Sequence, residues 1–145
     1  TSFSNTCSYD RSYITKGLTM IDHTGVNVSN FKVSREFYIK ALAPIGYKLM
    51  LEFATEAGKE IDAAGFGEAP IVDFWIGHET PNKPGIHVAF RAKTREQVDA
   101  FYAAAITAGG RDNGKPGLRP HYHANYYGAF VLDPDGHNIE AVCHV

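Results

Sequence analysis

The fold is decided by the last stretch of the chain, Tyr126-Tyr-Gly-Ala-Phe-Val-Leu-Asp-Pro-Asp-Gly-His-Asn-Ile-Glu-Ala-Val-Cys-His-Val145. Two short β-prone runs flank a turn sequence, 133–136, in which proline fixes one φ angle and glycine permits a positive one. This pattern predicts a β-hairpin. Alternation along its second strand places Glu140 on one face and Ile139 and Ala141 on the other. Because a lone carboxylate is costly to remove from water, Glu140 must be solvated in a cavity, salt-bridged or bound to a metal.

The pattern of elements occurs twice along the chain. An ungapped offset of 64 residues pairs His23 with His87, Phe37-Tyr38 with Phe101-Tyr102, and Gly46 with Gly110. Each copy reads as a strand, a helix and three further strands. The sequence therefore predicts an α+β fold of two βαβββ modules, at about residues 20–77 and 85–145.

Helix-capping residues and Gly/Pro-rich segments indicate where the helices and strands begin and end. The first helix is expected behind Ser29 or Asn30 as N-cap, and the second behind a capping box of Thr94 and Gln97. The apolar face of the first helix should carry Val33, Phe37, Ala41 and Leu42. Strands are expected at 21–28, 47–55, 60–66, 71–76 and 86–92, and a Gly/Pro-rich loop at 113–125.

The region before the first module has no periodic pattern. Residues 1–19 are polar and rich in Ser and Thr, so we predict a flexible N-terminal extension to a single domain at 20–145.

Composition narrows the class of protein. A hydrophobic content of 44% and a net charge of -2 are typical of a globular domain and argue against nucleic-acid binding. No apolar run is long enough to span a membrane. Cys7 and Cys143 form neither a disulfide framework nor a metal motif, which favours a reducing, cytoplasmic location. We expect a small-molecule partner, with no nucleic acid and no membrane.

Three residues form the central candidate site. The faces of the two sheets that lie away from the helices should meet and enclose a cavity. His23 lies on this face of the first strand, His87 recurs at the same place in the second copy, and Glu140 lies on a facing strand. Two histidines and a carboxylate suit a divalent transition metal that keeps open coordination positions. The alternative is that each histidine is a hydrogen-bonded core residue of its strand.

Five further residues are candidate substrate contacts. Arg91 either anchors an anionic substrate or is simply solvated near a strand end. Trp75 either floors the cavity or belongs to the ordinary core, and Asp73 shares its face. His121, in the Gly/Pro loop, either lines the cavity or lies on the surface. Tyr127, on the first strand of the hairpin, completes the set.

Together these motifs resemble the vicinal-oxygen-chelate superfamily, which includes glyoxalases, bleomycin-resistance proteins and extradiol dioxygenases. The resemblance rests on Ile-Asp-His-Thr-Gly-Val-Asn-Val from residue 21, Phe37-Tyr38, Gly-Ile-His-Val-Ala-Phe from residue 85 and Phe-Val-Leu-Asp-Pro-Asp-Gly-His-Asn-Ile-Glu from residue 130. It implies a curved glyoxalase-like sheet around a central cavity, with metal ligands at His23, His87 and Glu140. It also implies a homodimer, and leaves open whether one chain or two chains build the cavity.

The chain departs from the glyoxalase I branch at two positions. Where that branch carries a fourth ligand, a glutamate, this chain offers Asp73, which is one methylene shorter. We expect Asp73 to act through water or a substrate hydroxyl rather than on the metal. Where the branch carries an arginine that binds glutathione, this chain has Asn27, which disfavours glutathione as a substrate.

The leading hypothesis is a metal-dependent glyoxalase-like enzyme, a lyase, isomerase or related type. A divalent metal, Zn, Ni, Mn or Fe, would hold two adjacent oxygens of a small substrate while Glu140, as the catalytic base, removes a proton. One alternative is an Fe(II) extradiol-type dioxygenase. The other is a metal-free, bleomycin-resistance-like protein that binds a drug or metabolite, in which the three residues form only a polar wall.

Overall fold

The computed structural model describes residues 21–145. The extension predicted at 1–19 lies outside these residues. Within them the chain forms β1 (Thr24–Val28), α1 (Phe31–Leu42), a 3₁₀ turn (Ala43–Ile45), β2 (Lys48–Phe53), β3 (Ala63–Gly67), β4 (Phe74–His78), β5 (His87–Arg91), α2 (Arg95–Thr107), β6 (Arg111–Leu118), β7 (Tyr127–Leu132) and β8 (Asn138–Cys143). No helix among the described residues is long and apolar enough to cross a membrane.

The strands form two four-stranded sheets of identical topology. The orders are β1-β4-β3-β2 and β5-β8-β7-β6. The first strand of each module pairs in parallel with the last, and the remaining pairs are antiparallel. The predicted α+β fold of two βαβββ modules is confirmed.

The first helix begins where its N-cap satisfies a free backbone donor. The Asn30 side chain accepts the Val33 N–H at 3.2 Å, so Asn30 rather than Ser29 is the N-cap. Val33 itself is 50% exposed, and its predicted place on the apolar face is wrong. The buried stripe instead runs back from Tyr38 through Ser34 to Phe31, because one helical turn is 3.6 residues.

The second helix begins at a modified capping box. Thr94 accepts the Gln97 N–H at 3.2 Å, as predicted. The return bond, however, runs from the Lys93 N–H to the Gln97 side chain at 2.7 Å, one residue before the N-cap. Two backbone N–H groups at this end of the helix therefore have side-chain acceptors.

The loop predicted at 113–125 is partly wrong, because β6 extends to Leu118. Its register against β7 shifts between Asp112 and Gly114 and again between Gly114 and Gly117. Such bulges interrupt the alternation by which a strand is recognised in sequence. Pro116 is tolerated because β6 is the edge strand of its sheet.

The turn of the C-terminal hairpin begins at a buried acid that links the two modules. The Asp133 side chain is 0% exposed. Its Oδ1 accepts the Asp135 and His137 N–H groups at 2.9 and 2.8 Å, and its Oδ2 accepts the Tyr38 hydroxyl at 2.7 Å. A carboxylate of the second module is thus bonded directly to the helix of the first.

Two neighbours of Asp133 extend this junction. His137, also fully buried, accepts the Ile86 N–H at Nδ1 and donates from Nε2 to the Asn27 carbonyl at 2.8 Å. This arrangement requires the neutral Nε2–H tautomer. The Ser29 hydroxyl and N–H both donate to the Asp135 carboxylate. The hairpin turn therefore fixes the end of β1 and the start of α1.

We expect Tyr38→Phe to destabilise the protein by about 1.5–3 kcal/mol, because Asp133 Oδ2 would lose its charge-assisted hydrogen bond in a buried site. Urea unfolding followed by circular dichroism measures the change. Tyr122→Phe, at a tyrosine that is 61% exposed, is the matched control and should be neutral. Equal stability of the two variants would contradict the role given to the Asp133 junction.

Candidate functional site

A buried carboxylate lies in the centre of the second sheet. Glu140 is 1% exposed, on β8, on the face opposite α2. Its Oε2 lies 2.9 Å from His87 Nε2, and its Oε1 accepts a short hydrogen bond from the Tyr126 hydroxyl. Within the described chain no lysine or arginine pairs with it. The site is thus a buried acid whose hydrogen-bond partners are an imidazole and a phenol.

The sheet register brings these groups together. Glu140 is opposite Ala89 of β5 on one side and Phe130 of β7 on the other. Space for the carboxylate depends on Gly128, because a Cβ there would lie 3.1 Å from both Glu140 Oε1 and the Tyr126 ring. A central strand flanked by two others shields the acid from water.

Tyr126 is held in its protonated form. Burial raises the pKa of the Tyr126 phenol, and the adjacent Glu140 carboxylate raises it further. The phenol therefore remains a hydrogen-bond donor to Glu140 across the neutral pH range.

An open pocket of about 360 Å³ lies beside this acid. His87 is half exposed and forms part of its wall. The residues that line the pocket are His87, Asn113, Gly114, Arg119, His121, Tyr122, Phe130 and Asn138. The pocket is large enough for a small molecule, and the structure places His121, a predicted substrate contact, in its lining.

His23 does not reach this site within one chain. Its side chain is 62% exposed in the first module, where its Nδ1 lies 2.8 Å from Asp22 Oδ1. In the part of the chain that the structure describes, no three His, Cys, Asp or Glu side chains are grouped so as to hold a metal ion. One chain therefore brings together His87 and Glu140 but leaves His23 apart from them.

The equivalent position in the first sheet is apolar. Gly25 is opposite Trp75 in the same register that sets Ala89 opposite Glu140, so Trp75 occupies the place of Glu140. The Trp75 ring covers Gly65 and lies 5.7 Å from the Phe53 ring. Trp75 thus covers part of the first sheet and lies away from the pocket around His87.

Asp73 lies just before β4, two residues from the Glu140 equivalent. Its Oδ2 accepts the Tyr47 hydroxyl at 3.0 Å. Its Oδ1 is buried and has no hydrogen-bond partner among residues 21–145. Burial raises the pKa of the Asp73 carboxyl, against the opposing effect of the Tyr47 hydrogen bond. Asp73 is a partly satisfied acid that can still accept a hydrogen bond.

Two other candidates lie outside the pocket. Arg91 is exposed on β5 and does not contribute to the pocket lining. Tyr127 faces α2, where its hydroxyl donates to Asp99 at 2.8 Å and its ring lies 5.2 Å from the Arg95 guanidinium. Its contacts therefore hold the helix onto the sheet.

The sequence reasoning missed Tyr126 and Arg119. Strand alternation contained the signal for Tyr126, since residues at even positions of the first hairpin strand share the Glu140 face while Tyr127 does not. No comparable pattern marks Arg119, because β6 is bulged.

Asn27, at the glutathione-contact position of the glyoxalase I branch, forms hydrogen bonds with the linker residues Thr80 and Asn82 instead.

Paired βαβββ modules with a carboxylate and a histidine on one open face define a protein of the glyoxalase type. The family model of the Glyoxalase/Bleomycin resistance protein/Dioxygenase superfamily matches residues 20–141, and the chain belongs to that superfamily. No curated protein matches the sequence.

Solved structures share the fold. A glyoxalase/bleomycin resistance protein from Albidiferax ferrireducens is 28% identical with a TM-score of 0.70, over 88% of this chain and 100% of that one. TioX from Micromonospora sp. is 14% identical with a TM-score of 0.62, over 84% and 96%. A glyoxalase I mutant from Zea mays is 23% identical with a TM-score of 0.62, over 84% of this chain and 46% of that one. The last two establish similarity of fold alone.

We expect Glu140→Gln to stabilise the metal-free protein by about 1 kcal/mol, because the neutral amide avoids the cost of a buried charge that has no lysine or arginine partner among residues 21–145. Chelator-treated protein is compared by urea unfolding. Glu79→Gln, at an exposed glutamate, controls for the change in net charge. A clear loss of stability in Glu140→Gln would mean that the His87 and Tyr126 hydrogen bonds outweigh desolvation.

Proposed function

We propose that this protein is a divalent-metal-dependent, glyoxalase-like enzyme, a lyase, isomerase or related type, acting on a small molecule with two adjacent oxygens. The observation that carries the proposal is Glu140, an acid that is only 1% exposed and lies beside an open pocket. No lysine or arginine among residues 21–145 pairs with it. Keeping such a carboxylate in a sheet centre costs free energy, which a bound cation would offset.

The chemical types of the donor atoms suit a divalent metal ion. Glu140 Oε2 and His87 Nε2, 2.9 Å apart, are a carboxylate oxygen and an imidazole nitrogen, which Zn, Ni, Mn and Fe all accept. Divalent metals are typical of the superfamily. One chain provides two donors, one fewer than the usual catalytic set of three.

We assign the third ligand to His23 of the partner subunit. His23 is exposed, and its Nδ1 lies within hydrogen-bond distance of Asp22, another exposed side chain. Dimers are common in the superfamily, and a two-fold dimer would form two equivalent sites. The homodimer is thus part of the proposed function.

The residues of the chain have separate parts in the reaction. His87 and Glu140, with His23 of the partner subunit, would hold the metal, which would supply Lewis-acid chemistry at a substrate carbonyl. Glu140 accepts the proton removed from the adjacent carbon, and it is held in place by Tyr126 through Oε1. His87 Nε2, 2.9 Å from the other carboxylate oxygen, would join Glu140 as a metal ligand. Because the His87 side chain is half exposed, it remains accessible to a substrate in the pocket.

A metal-free binding protein is the second candidate. It is favoured by the direct hydrogen bonds of Glu140 with His87 and Tyr126, which partly satisfy the acid without an ion. Elemental analysis of protein purified without a histidine tag or chelator separates the two functions. A stoichiometric metal supports the enzyme, whereas trace metal together with tight ligand binding supports the binding protein.

We expect His23→Ala, His87→Ala and Glu140→Ala each to lose the metal while remaining folded, because each removes one of three ligands. Elemental analysis and circular dichroism measure the two properties. Metal retained in any one variant would remove that residue from the site.

Mixing variants tests whether the site spans two chains. Co-refolded His23→Ala and Glu140→Ala chains should recover metal in about a quarter of all sites, because each mixed dimer has one intact site and one doubly altered site. His87→Ala mixed with Glu140→Ala is the control and should recover none, since both changes fall in the same chain's half of the site. Equal recovery in both mixtures, or a monomer by light scattering, would contradict the shared site.

Asp73→Asn should keep the metal and weaken turnover or ligand binding. The register places Trp75, not Asp73, opposite Gly25, and Asp73 is already bonded to Tyr47. Metal content and steady-state kinetics are measured on the same preparation. If Asp73→Asn loses the metal as completely as His23→Ala, a four-ligand site replaces the three-ligand one.

A further inference from the structure

Arg119 is a fixed cation in the wall of the pocket. Its Nη2 donates to the Lys115 carbonyl at 2.7 Å and its Nη1 to the Leu118 carbonyl at 3.3 Å. The guanidinium carbon lies 5.5 Å from the centre of the Phe130 ring, in the geometry of a cation–π contact. Three contacts thus restrict a side chain that is otherwise flexible.

The charge of Arg119 has no anionic partner within the described chain. The ion pairs there engage Arg35, several lysines and two histidines, but not Arg119. A guanidinium has five N–H donors, and backbone carbonyls accept from only two of its nitrogens here. The remaining donors are free to bind an acceptor that enters the half-buried pocket.

The local backbone leaves room for this side chain. A Cβ at Gly117 would lie 3.1 Å from Arg119 Nη1, and a Cβ at Gly114 would lie 3.4 Å from Nη2. Side chains at both positions would crowd the guanidinium. The two glycines of the bulged strand therefore allow Arg119 to lie against Phe130.

Arg119 and the proposed reacting groups share one pocket wall. The Phe130 ring that Arg119 contacts also lies 6.3 Å from the His87 ring and is opposite Glu140 in the sheet. Two amides of the same pocket lining, Asn113 and Asn138, are joined by a 3.1 Å hydrogen bond. A small ligand that lies along the Phe130 ring would therefore reach both Arg119 and His87.

We infer that the pocket takes a substrate that carries a carboxylate remote from its reacting oxygens, and that Arg119 binds this carboxylate. One guanidinium matches one carboxylate in charge and in the geometry of two parallel hydrogen bonds. The inference rests on the proposed function only in placing the reacting oxygens beside His87 and Glu140. Arg119 is a specificity-determining residue and is not one of the proposed metal ligands.

The test compares two ligands that share a five-carbon chain and a 2-oxo acid. 2-Oxoglutarate has a distal carboxylate, and 2-oxopentanoate has a methyl group in its place. Isothermal titration of the metal-loaded protein should give about tenfold tighter binding of 2-oxoglutarate, because a charge-assisted hydrogen bond is lost in the other ligand. Arg119→Gln should abolish this preference, and Arg119→Lys should retain part of it.

Arg111→Gln is the matched control. Arg111 is an exposed arginine at the other end of the same strand, outside the pocket lining, and its removal changes the net charge equally. It should leave the preference intact. The inference is overturned if the unchanged protein binds both ligands equally or neither, if Arg119→Gln keeps the preference, or if Arg111→Gln abolishes it.

Chelator treatment separates this inference from the proposed function. If the metal assignment fails, removing the metal leaves both affinities unchanged while the preference for the distal carboxylate persists. If the Arg119 assignment fails, metal removal weakens the binding of both ligands, and no preference for the distal carboxylate depends on Arg119. Circular dichroism of each variant verifies that it is folded.

Discussion

The buried carboxylate of Asp133 is the constraint on which the rest of the structure depends. It closes the hairpin turn through two backbone N–H groups and accepts the Tyr38 hydroxyl from the other module. Burial raises the pKa of Tyr38 far above its usual value, and the Asp133 charge contributes, so the phenol stays a donor. A single acid thus sets the turn that leads into β8 and joins that turn to α1.

The position of β8 in turn determines the candidate site. As a central strand, β8 lies between β5 and β7, and the residue in its middle is shielded on both sides. A glutamate there is removed from water even though its face of the sheet is open. The pocket at β6 and the following loop is lined by His87, the hydrogen-bond partner of this buried acid. The same placement therefore causes the cost in stability and underlies the chemistry that we propose for Glu140.

The two modules share a backbone plan but differ in the chemistry of their open faces. The second presents Glu140, His87, Tyr126 and Arg119, whereas the first presents Trp75 and Phe53, with Leu51 exposed on the same sheet. Equivalent registers hold a carboxylate in one module and an indole in the other. The repeat has kept its packing, which the core demands, while its exposed faces have diverged.

Local and periodic features were determined by the sequence itself: the repeat, both helices, the hairpin and the place of Glu140 in the middle of its second strand, because turn chemistry, capping and alternation act over a few residues. Tertiary structure alone decided which side chains meet. It put Tyr126 and Arg119 beside the pocket, turned Tyr127 toward α2 and kept His23 apart from His87, since these outcomes depend on bulges in β6 and on how two modules pack. The partner of a residue can lie a hundred positions away, and periodicity within one strand does not encode that distance.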